Sequence, residues 1–338
     1  MIVHGSWPIA AAFVLAALAT KAVHALALRS GLMDHPSERS SHTLPTPRGG
    51  GAAIVAAFFA SLLWLLIRGQ FDAVRAALLL LGGTAVAGVG LLDDRYTLPA
   101  PARLIVHLAA ATAAVALIGA VTFGAGSAPT AAGIWAARLF SVIAMVWAIN
   151  LFNFMDGIDG IAASEAVFVA GAGAGLYWLV GGDPALSTAM LCLAAASAGF
   201  LLWNWPPASI FMGDVGSGFL GFVLAALGLM AVQNDAIPME VWPILGGVFL
   251  VDATVTLIRR VAHGHRWHEA HRMHAYQHLA LRWRKHLPVT LAVNLINVLW
   301  LLPCATYAAL TPARAPLSMA VALLPLMALA LISGAGKP

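Results

Sequence analysis

Apolar runs of about twenty residues, separated by short polar knots, recur along the whole 338-residue chain. A helical run of that length matches the ~30 Å hydrocarbon core of a bilayer, where only a helix or a closed barrel satisfies every backbone N–H and C=O. Eleven stretches are long enough, approximately 6–28, 51–67, 74–92, 100–123, 134–152, 161–180, 186–203, 216–232, 241–258, 288–310 and 315–332. The expectation is an all-α polytopic membrane protein with about eleven transmembrane helices, a single integral membrane domain over 1–338. Composition excludes a soluble globular enzyme, since 61% of residues are hydrophobic and 9% charged, against roughly 25% charged in a soluble domain. A dispersed net charge of +4 offers no basic tract, so nucleic acid is not an expected partner. Cys192 and Cys304 both fall inside apolar runs and read as small buried hydrophobes. The first run is too long for a signal-peptide core, and residues 1–7 hold no Lys or Arg, so it is expected to remain as a span.

Basic residues choose the orientation. Arg29, Arg39, Arg48, Arg95, Arg103 and the seven from Arg259 to Lys285 follow odd-numbered spans, against Arg68, Arg75, Arg138 and Arg314 on the other side. The positive-inside rule then predicts a periplasmic N-terminus and cytoplasmic loops at about 29–50, 93–99, 153–160, 204–215 and 259–287. Most acids gather on that same face, which is where an active site is expected.

Three knots concentrate these acids: Asp93–Asp94 after the third span, Asn150–x–x–Asn153–x–x–Asp156–Gly–x–Asp159–Gly160 after the fifth, and Gly213–Asp214–x–Gly216–Ser217–Gly218 at the eighth. Any one of them reads simply as a helix cap or a solvated loop end. Three at one membrane depth are harder to explain that way, because adjacent carboxylates repel unless a cation or basic group lies close. Oxygen donors without cysteine suit a hard divalent cation such as Mg²⁺, which takes one or two carboxylates and leaves places for water and phosphate. Glycines that uncover amides at a helix start favour an anion. Carboxylates for a metal and amides for phosphate together suggest a diphosphate substrate. The basic loops add Arg39, His42 and Arg48 early, and His271, Arg272, His274 and His278 late. On a helix, His271, His274 and His278 would share a face. Zinc is disfavoured, with no cysteine pair and no Glu–x–x–His between those histidines. Asp252, inside the ninth span, is either a functional acid or a packed one.

These motifs, in this order, resemble the polyprenyl-phosphate N-acetylhexosamine-1-phosphate transferases, a family that includes phospho-MurNAc-pentapeptide translocase. The stretch Ala270–His271–Arg272–x–His274–Ala275–Tyr276–Gln277 looks like the histidine loop of the O-antigen-initiating branch, and Asn204–Trp205–Pro206–Pro207 also looks like the family. The resemblance implies transfer of a sugar-1-phosphate from a UDP-N-acetylhexosamine to undecaprenyl phosphate in the inner membrane, releasing UMP, with Mg²⁺ as cofactor and Mn²⁺ as a substitute. It implies catalytic positions at Asp93, Asp94 and Asp214, and metal ligands at Asp214 and Asn153. Substrate contacts would fall at Arg39, His42, Arg48, Asn150, Asp156, Asp159, Asn204, His271, Arg272 and His274. Initiation of O-antigen, exopolysaccharide or another cell-envelope glycan follows from it, with the sugar and a homodimer left open. Two other classes fit less well. The run Asp156–x–x–Asp159–Gly160–x–x–Ala163 resembles the start of a CDP-alcohol phosphotransferase motif, but no acid follows between Glu165 and Asp183. A cation- or proton-coupled transporter would place its ionisable groups near mid-span and show internal repeats.

Overall fold

The computed structural model describes residues 6–34, 45–121, 130–233, 236–266 and 271–337. The first half contains α1 (Ser6–Ser30), the two-residue strands β1 (Met33–Asp34) and β2 (Thr46–Pro47), α2 (Gly51–Ile67), α3 (Ala73–Tyr96), α4 (Ala100–Ile118) and α5 (Ala131–Met155). The second half contains α6 (Ile161–Leu179), α7 (Pro184–Asn204), α8 (Asp214–Val232), α9 (Val241–Leu245), α10 (Gly247–Ala262) and α11 (Ala275–Trp283). It closes with α12 (Leu287–Ile296), α13 (Leu302–Leu310) and α14 (Ala315–Ile332). Among the described residues nine helical segments are long and apolar enough to cross a bilayer, so the chain is an all-α, multi-pass membrane protein.

The other two expected spans differ for local reasons. Helix α2 has 17 residues, about 25 Å at 1.5 Å per residue, which is short for a full crossing. The stretch 241–258 is divided at Gly246, where the backbone (φ −84°, ψ 19°) leaves the helical region between α9 and α10. Consecutive glycines at 246 and 247 have no side chains to stiffen a continuous helix there. A π turn at Asn297–Leu301 joins α12 to α13 just ahead of Pro303, whose missing N–H loosens the ladder.

Helix α8 is the axis of the bundle. It packs against α2, α3, α5, α6 and α7, and 89% of its apolar stretch is buried, against 17% for α1 at the periphery. Its small residues, Gly216, Gly218, Gly221, Ala225, Ala226 and Gly228, let neighbouring backbones approach closely. Helix α3 runs on to Tyr96, so Asp93 and Asp94 stand on its last turns rather than in a loop. The late histidines also depart from expectation. Helix α11 starts only at Ala275, with His274 as its N-cap and His271 ahead of it, so His271, His274 and His278 do not share one helical face.

Candidate active site

The start of α8 is built by residues far away in sequence. The first N–H groups of a helix have no partner within it, and Gly213 has no side chain to cap them. Asp94 reaches over from α3 instead. Its Oδ1 accepts from the Asp214 N–H at 3.0 Å and its Oδ2 from the Val215 N–H at 3.2 Å. Gly213 makes this possible, since its φ is 76° and a Cβ there would lie 2.5 Å from Asp94 Oδ2. Gly90 matters in the same way, because a Cβ on it would stand 2.3 Å from the Asp214 carbonyl oxygen. Arg48 completes the set, donating to Asp94 Oδ1 from Nε at 3.1 Å and from Nη2 at 2.5 Å. Backbone bonds hold Arg48 in place: Phe211 N donates to the Pro47 carbonyl at 2.8 Å, and Gly50 N to the Phe211 carbonyl at 2.9 Å. Asp94 is therefore saturated, and its side chain is fully buried.

A second arginine joins the other two carboxylates. Arg103 Nη1 donates to Asp93 Oδ2 at 2.5 Å and to Asp214 Oδ2 at 2.9 Å. Asp93 Oδ1 meanwhile accepts from the Leu98 N–H at 2.5 Å. The repulsion between neighbouring carboxylates is thus relieved by one guanidinium on each. Beside Arg103 opens a cleft lined by Val86, Val89 and Gly90 of α3, His107 of α4, Asn150, Asn153 and Phe154 of α5, and Asp214 and Gly218 of α8. The Asp214 side chain is 27% exposed, against 0% for Asp94, so Asp214 is the acid that the cleft can use. Asn153 Nδ2 donates to Ser217 Oγ at 3.2 Å, leaving its carbonyl oxygen available as an acceptor. Asn150 Nδ2 donates to the Val146 carbonyl at 2.7 Å.

Among the described residues no three Asp, Glu, His or Cys side chains converge into a closed metal cage. One carboxylate and one amide oxygen on a shared cleft fit a hard cation that keeps positions for water and phosphate. Asp156 stands just past α5, close to these carboxylates. Burial, and then the carboxylates of Asp214, Asp94 and Asp159, push its pKa up to about 8.

The histidine loop is fixed by an acid of a neighbouring helix. Asp252 of α10 accepts from the Ala275 N–H at 2.9 Å, the Tyr276 N–H at 3.0 Å and Thr256 Oγ1 at 3.1 Å, and lies 3.3 Å from His274 Nδ1. It caps α11 and answers the choice left by its sequence position in favour of packing. Tyr276 Oη then donates to the Phe154 carbonyl at 3.0 Å, drawing the loop against the end of α5. His271 stacks on His274 with ring centroids 5.0 Å apart. Burial, then His274 and Arg260, lower its pKa to about 3, so it is neutral at pH 7. Of the three loop residues, Arg272 carries the permanent charge.

Asp159 and Asn204 act as braces between segments. Asp159 Oδ2 accepts from the Ala208 N–H at 3.1 Å and Oδ1 lies 3.1 Å from His286 Nδ1. Asn204 Oδ1 accepts from the Gly160 N–H at 3.0 Å while Nδ2 donates to the Ile210 carbonyl at 2.9 Å. Arg39 and His42 lie outside the described residues. Sequence reasoning missed two residues of the cleft, Arg103, counted only as an inside charge, and His107. The signal was an Arg–x–x–x–His spacing that puts both on one face of α4.

Residues 76–232 match the family described as glycosyl transferase family 4. The chain is 32% identical over 315 residues to the decaprenyl-phosphate N-acetylglucosaminephosphotransferase of Mycobacterium tuberculosis, covering 84% of this chain and 78% of that one. It is 29% identical over 286 residues to the probable undecaprenyl-phosphate N-acetylglucosaminyl 1-phosphate transferase of Bacillus subtilis, covering 83% and 78%. A phospho-N-acetylmuramoyl-pentapeptide-transferase of Mycolicibacterium vanbaalenii is 30% identical over 279 residues, covering 69% and 75%.

Proposed function

The chain belongs to glycosyl transferase family 4, the polyprenyl-phosphate N-acetylhexosamine-1-phosphate transferases, and from that membership we propose that it transfers N-acetylhexosamine 1-phosphate from a UDP-sugar to undecaprenyl phosphate. N-acetylglucosamine is the sugar that the relatives' names favour, and the product would begin a cell-envelope glycan such as O-antigen or exopolysaccharide. In this reaction an oxygen of the lipid phosphate attacks the β-phosphorus of the donor. The bond from that phosphorus to the bridging oxygen breaks, and UMP leaves with the oxygen.

The residues divide the work by how many partners they already have. A phosphate monoester has its second pKa near 6, so the acceptor is mostly a dianion at neutral pH and needs no strong base. Asp94, with four hydrogen bonds, holds the start of α8 and Arg48 in place. Asp93 orients Arg103 toward the cleft. Asp214 and Asn153 would hold Mg²⁺, which when bound neutralises charge on the diphosphate. Arg272 would meet a donor phosphate, with His271 offering a neutral contact beside His274. The observation that carries this reading is that Asp214 and Asn153 line one cleft with Arg103 while Asp94 is fully engaged elsewhere.

The test is UMP release by the purified protein given undecaprenyl phosphate, Mg²⁺ and a panel of UDP-N-acetylhexosamines. UMP that depends on lipid and metal, and falls at least 100-fold in Asp214→Asn, supports the assignment. Near-normal turnover in Asp214→Asn overturns the metal site, and no UMP with any donor overturns the reaction.

A further inference from the structure

The reaction as drawn leaves one buried polar group of the cleft without a task. His107 stands four residues after Arg103, on the same face of α4. It is 9% exposed, and its Nδ1 is buried with no hydrogen-bond partner among the described residues. A buried polar nitrogen without a partner is destabilising, and an apolar side chain would avoid the penalty. Elsewhere α4 follows that rule, burying only Ala110, Ala111, Ala114 and Val115. His107 lines the cleft together with Asn153 and Asp214, so its imidazole borders the space where phosphates are expected.

Depth selects which phosphate. Helix α4 starts at Ala100, which puts the His107 backbone about 10 Å along the axis into the span. Helical side chains lean toward the N-terminus, so the ring reaches back toward the Arg103 guanidinium. Part of the cleft lining is an apolar wall, formed by Val86 and Val89. A nucleotide sugar carries no alkyl chain to match such a wall. A phosphate on a prenyl chain matches both halves, its headgroup meeting Arg103 and His107 and its first carbons meeting the valines.

We propose that His107 binds the acceptor, its imidazole N–H donating to a phosphoryl oxygen of the polyprenyl phosphate beside Arg103. This rests on the acceptor being a lipid phosphate, as proposed above, and gives α4 the acceptor while the histidine loop serves the donor. Apparent KM values for undecaprenyl phosphate and for the UDP-sugar, measured separately in nanodiscs, test it on wild type, His107→Leu and His107→Gln.

The expected result is a rise of about 10-fold or more in the acceptor KM for His107→Leu, with the donor KM within twofold. Glutamine, whose amide can donate from a similar reach, should restore most of the loss, which simple repacking would not produce. If His107→Leu is not monodisperse, His107→Ala replaces it with the same expected split. An unchanged acceptor KM, or a rise confined to the donor KM or equal for both, overturns the assignment. Wild-type protein that releases no UMP refutes the underlying reaction instead, so the two failures are distinguishable.

Discussion

Asp252→Asn tests whether a buried carboxylate of α10 positions the histidine loop. Asp252 lies 22 to 24 residues before the groups it binds, and its two oxygens serve His274, Ala275 and Tyr276 as well as Thr256. Asparagine has the same shape but only one acceptor oxygen. Whichever way the amide is turned, its NH₂ faces either the Ala275 or the Tyr276 N–H, donor against donor, in a buried place. Losing one charge-assisted hydrogen bond and leaving a buried donor unpaired amounts to about 2–3 kcal/mol. That is a factor of roughly 30–150 in the local opening equilibrium. Hydrogen exchange in nanodiscs reads it directly: amides of 275–279 should exchange faster by about that factor, while those of α8 should not change. UMP release should fall at least tenfold, because the loop is misplaced although Asp214 and Arg103 are untouched. Protection of 275–279 within threefold of wild type would refute the argument that this carboxylate holds the start of α11.

Two further perturbations probe the other end of the site. Asp94→Ala leaves Arg48 and the first amides of α8 without their acceptor; breaking a buried pair of this kind destabilises by about 3–5 kcal/mol, so the thermal midpoint in detergent should drop markedly, and an unchanged midpoint would contradict the capping role. Asp156, raised to about 8, stays protonated in the folded protein while the unfolded chain ionises near 4. Its contribution to stability is therefore full below about pH 4 and declines until about pH 8. Asp156→Asn should flatten that decline when midpoints at pH 6 and pH 8.5 are compared, and parallel slopes for variant and wild type would sink the pKa assignment.

The family was legible in the chain because its signals are local. Gly213–Asp214 and Asn150–x–x–Asn153 each sit within one or two helical turns, and their order along the chain is itself specific. The late histidines misled for the opposite reason. Their spacing suits a helical face, but the helix starts where Asp252 supplies a cap, and that acid belongs to another element. Arg103 looked like one more inside charge because its partners, Asp93 and Asp214, are 10 and 111 residues away.

The sequence by itself determined that this chain crosses a membrane many times as helices, since run length against bilayer thickness is a sum over neighbouring residues. It also determined which acids could gather at one face. Only the tertiary structure decided which carboxylate is closed and which is open. Asp94 is saturated by Arg48 and by two amides 120 and 121 residues downstream, whereas Asp214 keeps an oxygen toward the cleft. The physical reason is that a carboxylate's availability depends on what reaches its lone pairs after folding, and contacts across the bundle leave no trace in the local pattern that encodes each helix.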